Sequence, residues 1–414
     1  MAMDNGATGG RSRRHLLRLA AGSLTLTALG AGTVGCGADA ESTTGSTDSG
    51  DGPGAAADKK PEGAASGKGQ GPKPLWTKTT SAQTYGDNDE LVAVDGVVIA
   101  SGAPLAALDA RTGATRWSLQ EGAAPGAPLL IGSGTLYLAS GKYDGTVRGY
   151  DPATGKETWR SRLGKQYRQP MPVAVDDKQV YVIAEILEDD GSSRTNVIAA
   201  LDGTTGKVLW KEQRDAGTEQ NGVHAVVQGR HLVYTDFKKN LTVRDTTTGR
   251  QVWSHKTTKT NYGVFAVHED LVIVPQGQRL QALDLSDGSA AWSLEAAEFD
   301  TFKEPSVLGD VLYVADSGKT LWSIAPRTGK ANWRSKALTD AQAQVPRQFL
   351  EVDGILYGAT DLDEKGGIHA FDAKTGSLRW TFNDGSGDTH AWLMAGDDQH
   401  VFALHGKKLF ALPA

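Results

Sequence analysis

The residues with the most chemical potential lie near the C-terminus: His390, His400 and His405, preceded by Asp384, Ser386 and Asp388. Imidazoles beside carboxylates can hold a metal ion or relay a proton. The spacing argues against both, because the three histidines fall across alternating β-type residues and lack metal-ligand intervals. They read as surface or strand histidines. Asp384-x-Ser386-x-Asp388 and Asp361-Leu362-Asp363-Glu364 offer oxygens to calcium, yet neither completes the loop pattern with Gly at the sixth place and Glu at the twelfth. Each reads as a solvated loop, and Glu188-Asp189-Asp190-Gly191 as an acidic hairpin tip. The chain holds no GxSxG, HExxH, GxxxxGK[ST] or strand-following GxGxxG, so the expected catalytic and metal-ligating sets are empty. Cys36 is the only cysteine, which excludes an intramolecular disulfide, a Cys-pair zinc site and a CxxC redox motif. With 43 basic and 49 acidic residues among 414, the net charge of −6 gives no general attraction to nucleic acid or to an anionic membrane surface.

The position of Cys36 gives it a different use. Arg11 to Arg18 is a basic segment, Leu19 to Val34 an apolar run rich in Gly and Ala, and Gly35-Cys36 ends it. This is the layout of a secretory signal. Ser12-Arg13-Arg14-His15-Leu16-Leu17-Arg18 resembles the twin-arginine export motif, used for proteins exported folded. Thr33-Val34-Gly35-Cys36 resembles a bacterial lipobox, with Thr33 where Leu is usual. Residues 1–35 are therefore expected to be a signal peptide and Cys36 a lipidated first residue on the outer face of the cell membrane. From Gly37 to Pro74 there is no aromatic residue and almost no large aliphatic one, the composition of a disordered tether. Such a tether of about 38 residues has an rms span of roughly 31 to 37 Å.

The remainder is one motif repeated. LAALDARTGATRW (105 to 117), VRGYDPATGKETW (147 to 159), IAALDGTTGKVLW (198 to 210), LTVRDTTTGRQVW (241 to 253), LQALDLSDGSAAW (280 to 292), LWSIAPRTGKANW (321 to 333) and IHAFDAKTGSLRW (368 to 380) share one spacing, with Trp eight residues after the Asp position. Alternating residues before Asp and after Gly read as strands, and Asp-x-x-Thr-Gly as the turn joining them. Two further β-rich runs precede each motif, such as Val180 to Ala184 and Val311 to Ala315. Four strands per unit of about 43 residues is the signature of a propeller blade. Lys408 to Ala414 matches the strand leading up to Asp, and Pro74 to Thr77 the strand ending on Trp. Pairing these two pieces completes an all-β, eight-bladed propeller of four-stranded antiparallel blades over residues 75–414, with no free edge strand. Trp76, Trp117, Trp159, Trp210, Trp253, Trp292, Trp333 and Trp380 are expected to dock between blades, each burying about 150 to 250 Å² for at most roughly 4 to 6 kcal/mol.

The repeat A-x-D-x-x-T-G-x-x-x-W resembles the tryptophan-docking motif of the PQQ-repeat propellers. That superfamily includes quinoprotein alcohol dehydrogenases, the propeller lipoprotein of the outer-membrane barrel assembly complex and sensor regions of some bacterial kinases. Local departures are Ala325 for Asp, Asp287 for Thr, and Gly149 and Val243 for the small Ala. The dehydrogenase resemblance implies adjacent cysteines in a ring disulfide, a calcium site of Glu, Asn and Asp, and a longer chain. Cys36 alone cannot supply that disulfide, so neither PQQ nor calcium is expected.

A binding face remains. Loops entering the innermost strands surround the channel on one face, and by position in the repeat they hold Tyr85, Asp87 and Asn88; Tyr167, Arg168 and Gln169; and Gln220, Asn221 and His224. The later loops hold Asn261 and Tyr262; Phe302, Lys303 and Glu304; Arg347 and Gln348; and His390 and Trp392. Tyr, Trp and Arg are enriched at interface hot spots, so this set is the expected recognition surface. The sequence thus predicts a monomeric, membrane-anchored, extracytoplasmic propeller acting as a non-catalytic scaffold for an envelope protein or as a ligand-binding module. The alternative is a small-ligand sensor or quinoprotein-like enzyme using the central channel.

Overall fold

The Asp-x-x-Thr-Gly turn is the unit from which the architecture grows. In the computed structural model, which describes residues 69–82, 90–124, 127–142, 144–164, 166–187, 193–213, 225–235, 240–257, 264–361 and 363–414, Asp109 Oδ1 accepts both the backbone N–H and the hydroxyl of Thr112 at 2.8 Å. The Gly113 N–H donates to the Asp109 carbonyl at 2.8 Å with φ at +68°. Asp151 and Thr154, Asp202 and Thr205, Asp245 and Thr248, and Asp372 and Thr375 repeat the arrangement. Ala325, lacking the carboxylate, keeps only backbone bonds from Thr328 and Gly329. That turn still forms, as expected of a local departure.

Each turn joins the outer two strands of a four-stranded antiparallel sheet. The first blade runs Leu91–Val94, Val97–Ala100, Leu105–Asp109 and Thr115–Leu119 from the channel outward. Six more follow within residues 130–160, 167–213, 225–256, 266–295, 306–335 and 346–382. The eighth takes its inner three strands from Trp392–Gly396, His400–His405 and Lys408–Pro413 and its outer strand from Trp76–Thr79, with Trp76 opposite Ala411 and Thr79 opposite Lys408. The ring closes by this pairing, as the sequence predicts. Ala337–Asp340, one helical turn, is the only helix among the described residues.

The expectation of no free edge fails. The eight sheets are separate, with no strand ladder between them, so every blade keeps an outer edge strand. One edge is partly covered: Gly71 N–H donates to Thr381 O at 2.8 Å, and Gln70 bridges Thr381 in parallel on the outer strand of blade seven. Residues 69–74, assigned to the tether from composition, therefore have a defined place on the propeller. A Cβ on Gly71 would lie 2.8 Å from that of Phe382, so this approach needs glycine.

Packing between sheets centres on the repeated tryptophans. Trp76 Nε1 donates to Ala110 O (3.0 Å), Trp117 to Pro152 O (2.8 Å), Trp210 to Thr246 O (2.7 Å) and Trp333 to Ala373 O (3.0 Å), each acceptor lying in the next blade's turn. Trp159, Trp253 and Trp292 dock likewise on Asp202, Leu285 and Pro326. The indole also lies on the turn glycine: a Cβ on Gly155 would be 2.7 Å from the Trp117 ring, and one on Gly249 2.4 Å from that of Trp210. Trp380 has no such acceptor among the described residues, because no Asp-x-x-Thr-Gly turn joins the two pieces of blade eight. It packs on Tyr357 instead, ring centroids 5.8 Å apart.

Two predictions follow from this packing. Gly249→Ala should destabilise by about 2 to 4 kcal/mol in denaturant unfolding, combining left-handed backbone strain with overpacking. Gly134→Ala has similar φ, +73°, with nothing within 4 Å of the new Cβ, and should lose only about 1 to 2 kcal/mol; equal losses would remove the docking contact from the account. The second concerns His369, buried in blade seven with Nδ1 2.9 Å from Thr381 Oγ1 and Nε2 without a partner. Burial lowers its pKa from 6.5 to about 4. The unfolded chain therefore binds the extra proton between these values, and this contribution is whole above pH 6.5 and lost as pH falls toward 4, about 3 kcal/mol in all. His369→Gln should flatten that slope in melts across pH 4 to 7.

Candidate protein-binding face

The loops that lead from an outer strand to the next inner strand, and those joining the second and third strands of each blade, share one face of the ring. Their backbones are tied together: Phe302 N–H donates to Gly277 O at 2.9 Å, Ala124 N–H to Ala139 O at 2.9 Å, and Thr80 N–H to Lys407 O at 2.7 Å. Of the residues the sequence assigns here, Tyr85, Asp87, Asn88, Gln220, Asn221, His224, Asn261 and Tyr262 lie outside the described residues. Arg168 and Gln169 lie on the inner strand Tyr167–Val175, where Arg168 stands opposite Glu185 and the register shifts before Met171.

Three of the aromatics are core residues. Tyr167 is 2% exposed and its hydroxyl accepts from Lys211 Nζ at 2.6 Å. Phe302 is fully buried against the Trp322 ring, centroids 5.4 Å apart. Trp392 is also fully buried. All three stand where a loop enters the interior, so burial competes with display, and the expected recognition surface loses them. Lys303 and Glu304 are half-buried beside Phe302.

Arg347 and Gln348 are engaged within the fold. Arg347 pairs with Asp361, Nη1 to Oδ1 3.1 Å. The Gln348 side chain reaches from the inner strand of blade seven to that of blade eight, where Nε2 donates to Met394 O at 2.9 Å and Oε1 accepts the Met394 N–H at 3.0 Å. It satisfies both backbone groups of a fully buried residue. Glu90 does a related service between blades one and two, accepting the Leu129 N–H at 2.5 Å.

Of the C-terminal histidines, His390 and His405 come together with Asp384 and Asp388, whereas His400 lies at the other end of its strand with Nδ1 2.9 Å from Asp397 Oδ1. His405 stacks on Trp392 with centroids 4.2 Å apart and planes 6° from parallel, and its Nδ1 lies 3.2 Å from Asp384 Oδ1. Lys408 Nζ is 3.7 Å from the other Asp384 oxygen. Burial alone would raise the Asp384 carboxyl, but hydrogen bonds from Ser386 and the nearby His405 outweigh it and hold the group below the ordinary carboxylate range. His390 pairs with Asp388 immediately above. His405 Nε2 and Trp392 Nε1 are buried without hydrogen-bond partners. The one hydroxyl of this constellation, on Ser386, donates to Asp384 Oδ1 at 2.7 Å and accepts the Asp388 N–H at 3.2 Å, so it is tied into the local turn, and the group packs the joint between blades seven and eight.

The residue that sequence reasoning missed is Phe299, three positions before Phe302. It is 89% exposed, with φ at +68°. Its flanking acids, Glu298 and Asp300, were the available signal.

Comparison with known proteins bears on what this face does. The sequence matches a PQQ-repeat family described as outer membrane protein assembly factor BamB over residues 42–142, 105–261, 194–349 and 305–413. No curated protein matches the chain. Among solved structures, the computationally designed Ika8 protein is 14% identical with a TM-score of 0.56, covering 81% of this chain and 100% of its own. Quinohemoprotein alcohol dehydrogenase from Comamonas testosteroni is 13% identical with a TM-score of 0.53, covering 82% and 76%. BamB from Moraxella catarrhalis is 16% identical with a TM-score of 0.45, covering 70% and 95%. The first two likenesses establish the propeller fold alone. Among the described residues, no three His, Cys, Asp or Glu side chains are grouped to hold a metal ion.

If Gln348 is a clasp, Gln348→Ala should destabilise by about 2 to 4 kcal/mol by leaving two backbone groups unpaired. An unchanged melting temperature would return Gln348 to the recognition surface.

Proposed function

The chain belongs to this PQQ-repeat family, and on that premise we propose that it is an exported, lipid-anchored scaffold whose loop face holds a partner protein of the cell envelope without chemistry of its own. Family membership carries the reading, since the family is described by an assembly factor. The site geometry supports it: on this face His390 pairs with Asp388, His405 with Asp384 and Arg347 with Asp361, so these groups serve the fold.

Cys36 follows an apolar run headed by Arg13-Arg14 and precedes a polar stretch that enters the propeller at its rim. Among the described residues no helix is long and apolar enough to cross a membrane. Export in the folded state suits a ring whose blade eight needs both Trp76–Thr79 and Lys408–Pro413, which no partial chain can close.

The test is lysine-directed cross-linking of the full-length protein in its own cells, followed by mass spectrometry of linked peptides, alongside the Cys36→Ser variant. Near-stoichiometric links from Lys303 and its face to one envelope protein are expected, together with loss of Cys36→Ser from washed membranes. Abundant folded protein with no linked partner would overturn the scaffold in favour of a small ligand in the channel. A Cys36→Ser protein that stays on the membrane would overturn the lipid anchor.

A further inference from the structure

Phe299 occupies a position that its backbone reserves for another residue type. Residues 297–300 form a turn closed by the Asp300 N–H on Ala297 O at 3.0 Å, and Phe299 is its third residue. With φ at +68° that place favours Gly or Asn, and a bulky side chain there is an outlier. The ring returns nothing to the fold, being 89% exposed. Among the described residues, the other exposed large apolar ones, Leu75, Val208, Leu209 and Val252, are aliphatic and lie on outer strands or at the N-terminal entry to one.

The turn is braced on both sides. Gln278 Nε2 donates to Ala296 O at 3.4 Å and Ala297 O at 3.3 Å from blade five. From blade six, Ser317 Oγ donates to Asp300 Oδ1 at 3.2 Å and accepts the Thr301 N–H at 2.9 Å. Phe302 is the buried root of the loop and Phe299 its crest. On a braced turn the ring has only its two side-chain torsions to lose on docking, a low entropic cost that suits an interface anchor.

We infer that Phe299 is the anchor by which this face engages its partner, inserting into an apolar pocket rimmed by Lys or Arg on another protein. The rim follows from charge: Glu298 and Asp300 flank the ring and pair favourably with cations. The same two carboxylates oppose insertion into an anionic lipid surface. The inference rests on the scaffold reading and names the point of contact.

The experiment uses the full-length chain in its own cells. Phe299→p-benzoylphenylalanine is irradiated and the linked peptide identified, while wild type, Phe299→Tyr and Phe299→Gly are compared by partner recovery after lysine cross-linking. Expected are a single linked protein whose peptide combines apolar residues with Lys or Arg, retention by Phe299→Tyr, and a loss of roughly tenfold or more for Phe299→Gly. The melting temperature of Phe299→Gly should stay unchanged or rise, since Gly relieves the turn. Full recovery by Phe299→Gly sinks the anchor while leaving the scaffold standing, whereas no partner for wild type sinks the scaffold itself. A melting temperature several degrees lower would show a structural role and overturn the inference, as would sedimentation with phosphatidylglycerol vesicles that depends on Phe299.

Discussion

The structure depends on one repeated contact, an indole laid on the turn glycine of the neighbouring blade with its N–H on a carbonyl of that turn. No strand ladder joins one sheet to the next, so beyond a few loop bonds such as Arg162 N–H to Gly206 O side chains must supply both cohesion and angle. The indole suits this because its apolar area drives burial while one directional bond fixes where it lies. The partner must be glycine for two reasons, the left-handed backbone at +74° and the 2.4 Å approach at Gly249 showing both at once. Asp and Thr then hold the turn in the shape that receives the ring. A motif of Asp, Thr, Gly and Trp thereby encodes a turn and the interface with the preceding blade.

Where that contact is missing, other devices gather. Blade eight is assembled from two distant segments and offers Trp380 no turn. At the same joint Gln348 bonds both backbone groups of Met394, and Phe382, Trp392 and Phe410 form an edge-packed aromatic group. Asp384 and His405 close the top, and Gly71 ties the entering chain to the rim. None of these belongs to the repeat. Their concentration at one joint has a physical origin: a closed ring is as stable as its weakest contact, and the joint without the repeated lock needs replacement bonds.

The sequence was most legible where it repeats. Blade number, strand order, closure and the docking of the tryptophans are all readable because each is tied to a fixed spacing and an alternation of period two. The loops carry no such period. Two phenylalanines three residues apart in one loop gave no signal of which was root and which crest, and the sequence reading selected Phe302, the buried one. Tyr167 and Trp392 were misjudged for a related reason, standing at strand entrances where the next layer decides exposure. The free outer edges were missed because ring closure in sequence does not imply hydrogen bonding between sheets. Gln348 was placed on the right loop, but its double bond to Met394 is a contact across 46 residues that no local pattern announces.

These errors share a direction, and it bears on function. Most polar and aromatic groups that sequence assigns to recognition, where described, are taken up within the fold: Tyr167 by Lys211, Arg347 by Asp361, Gln348 by Met394 and His390 by Asp388. A group already paired gains little by changing partners, since it must give up one bond to make another. The surface that remains for binding is therefore better sought among groups whose local state is unfavourable in isolation. Phe299 meets that description through both its exposure and its backbone, and a partner that buries the ring relieves the first while the braced turn keeps the second in place.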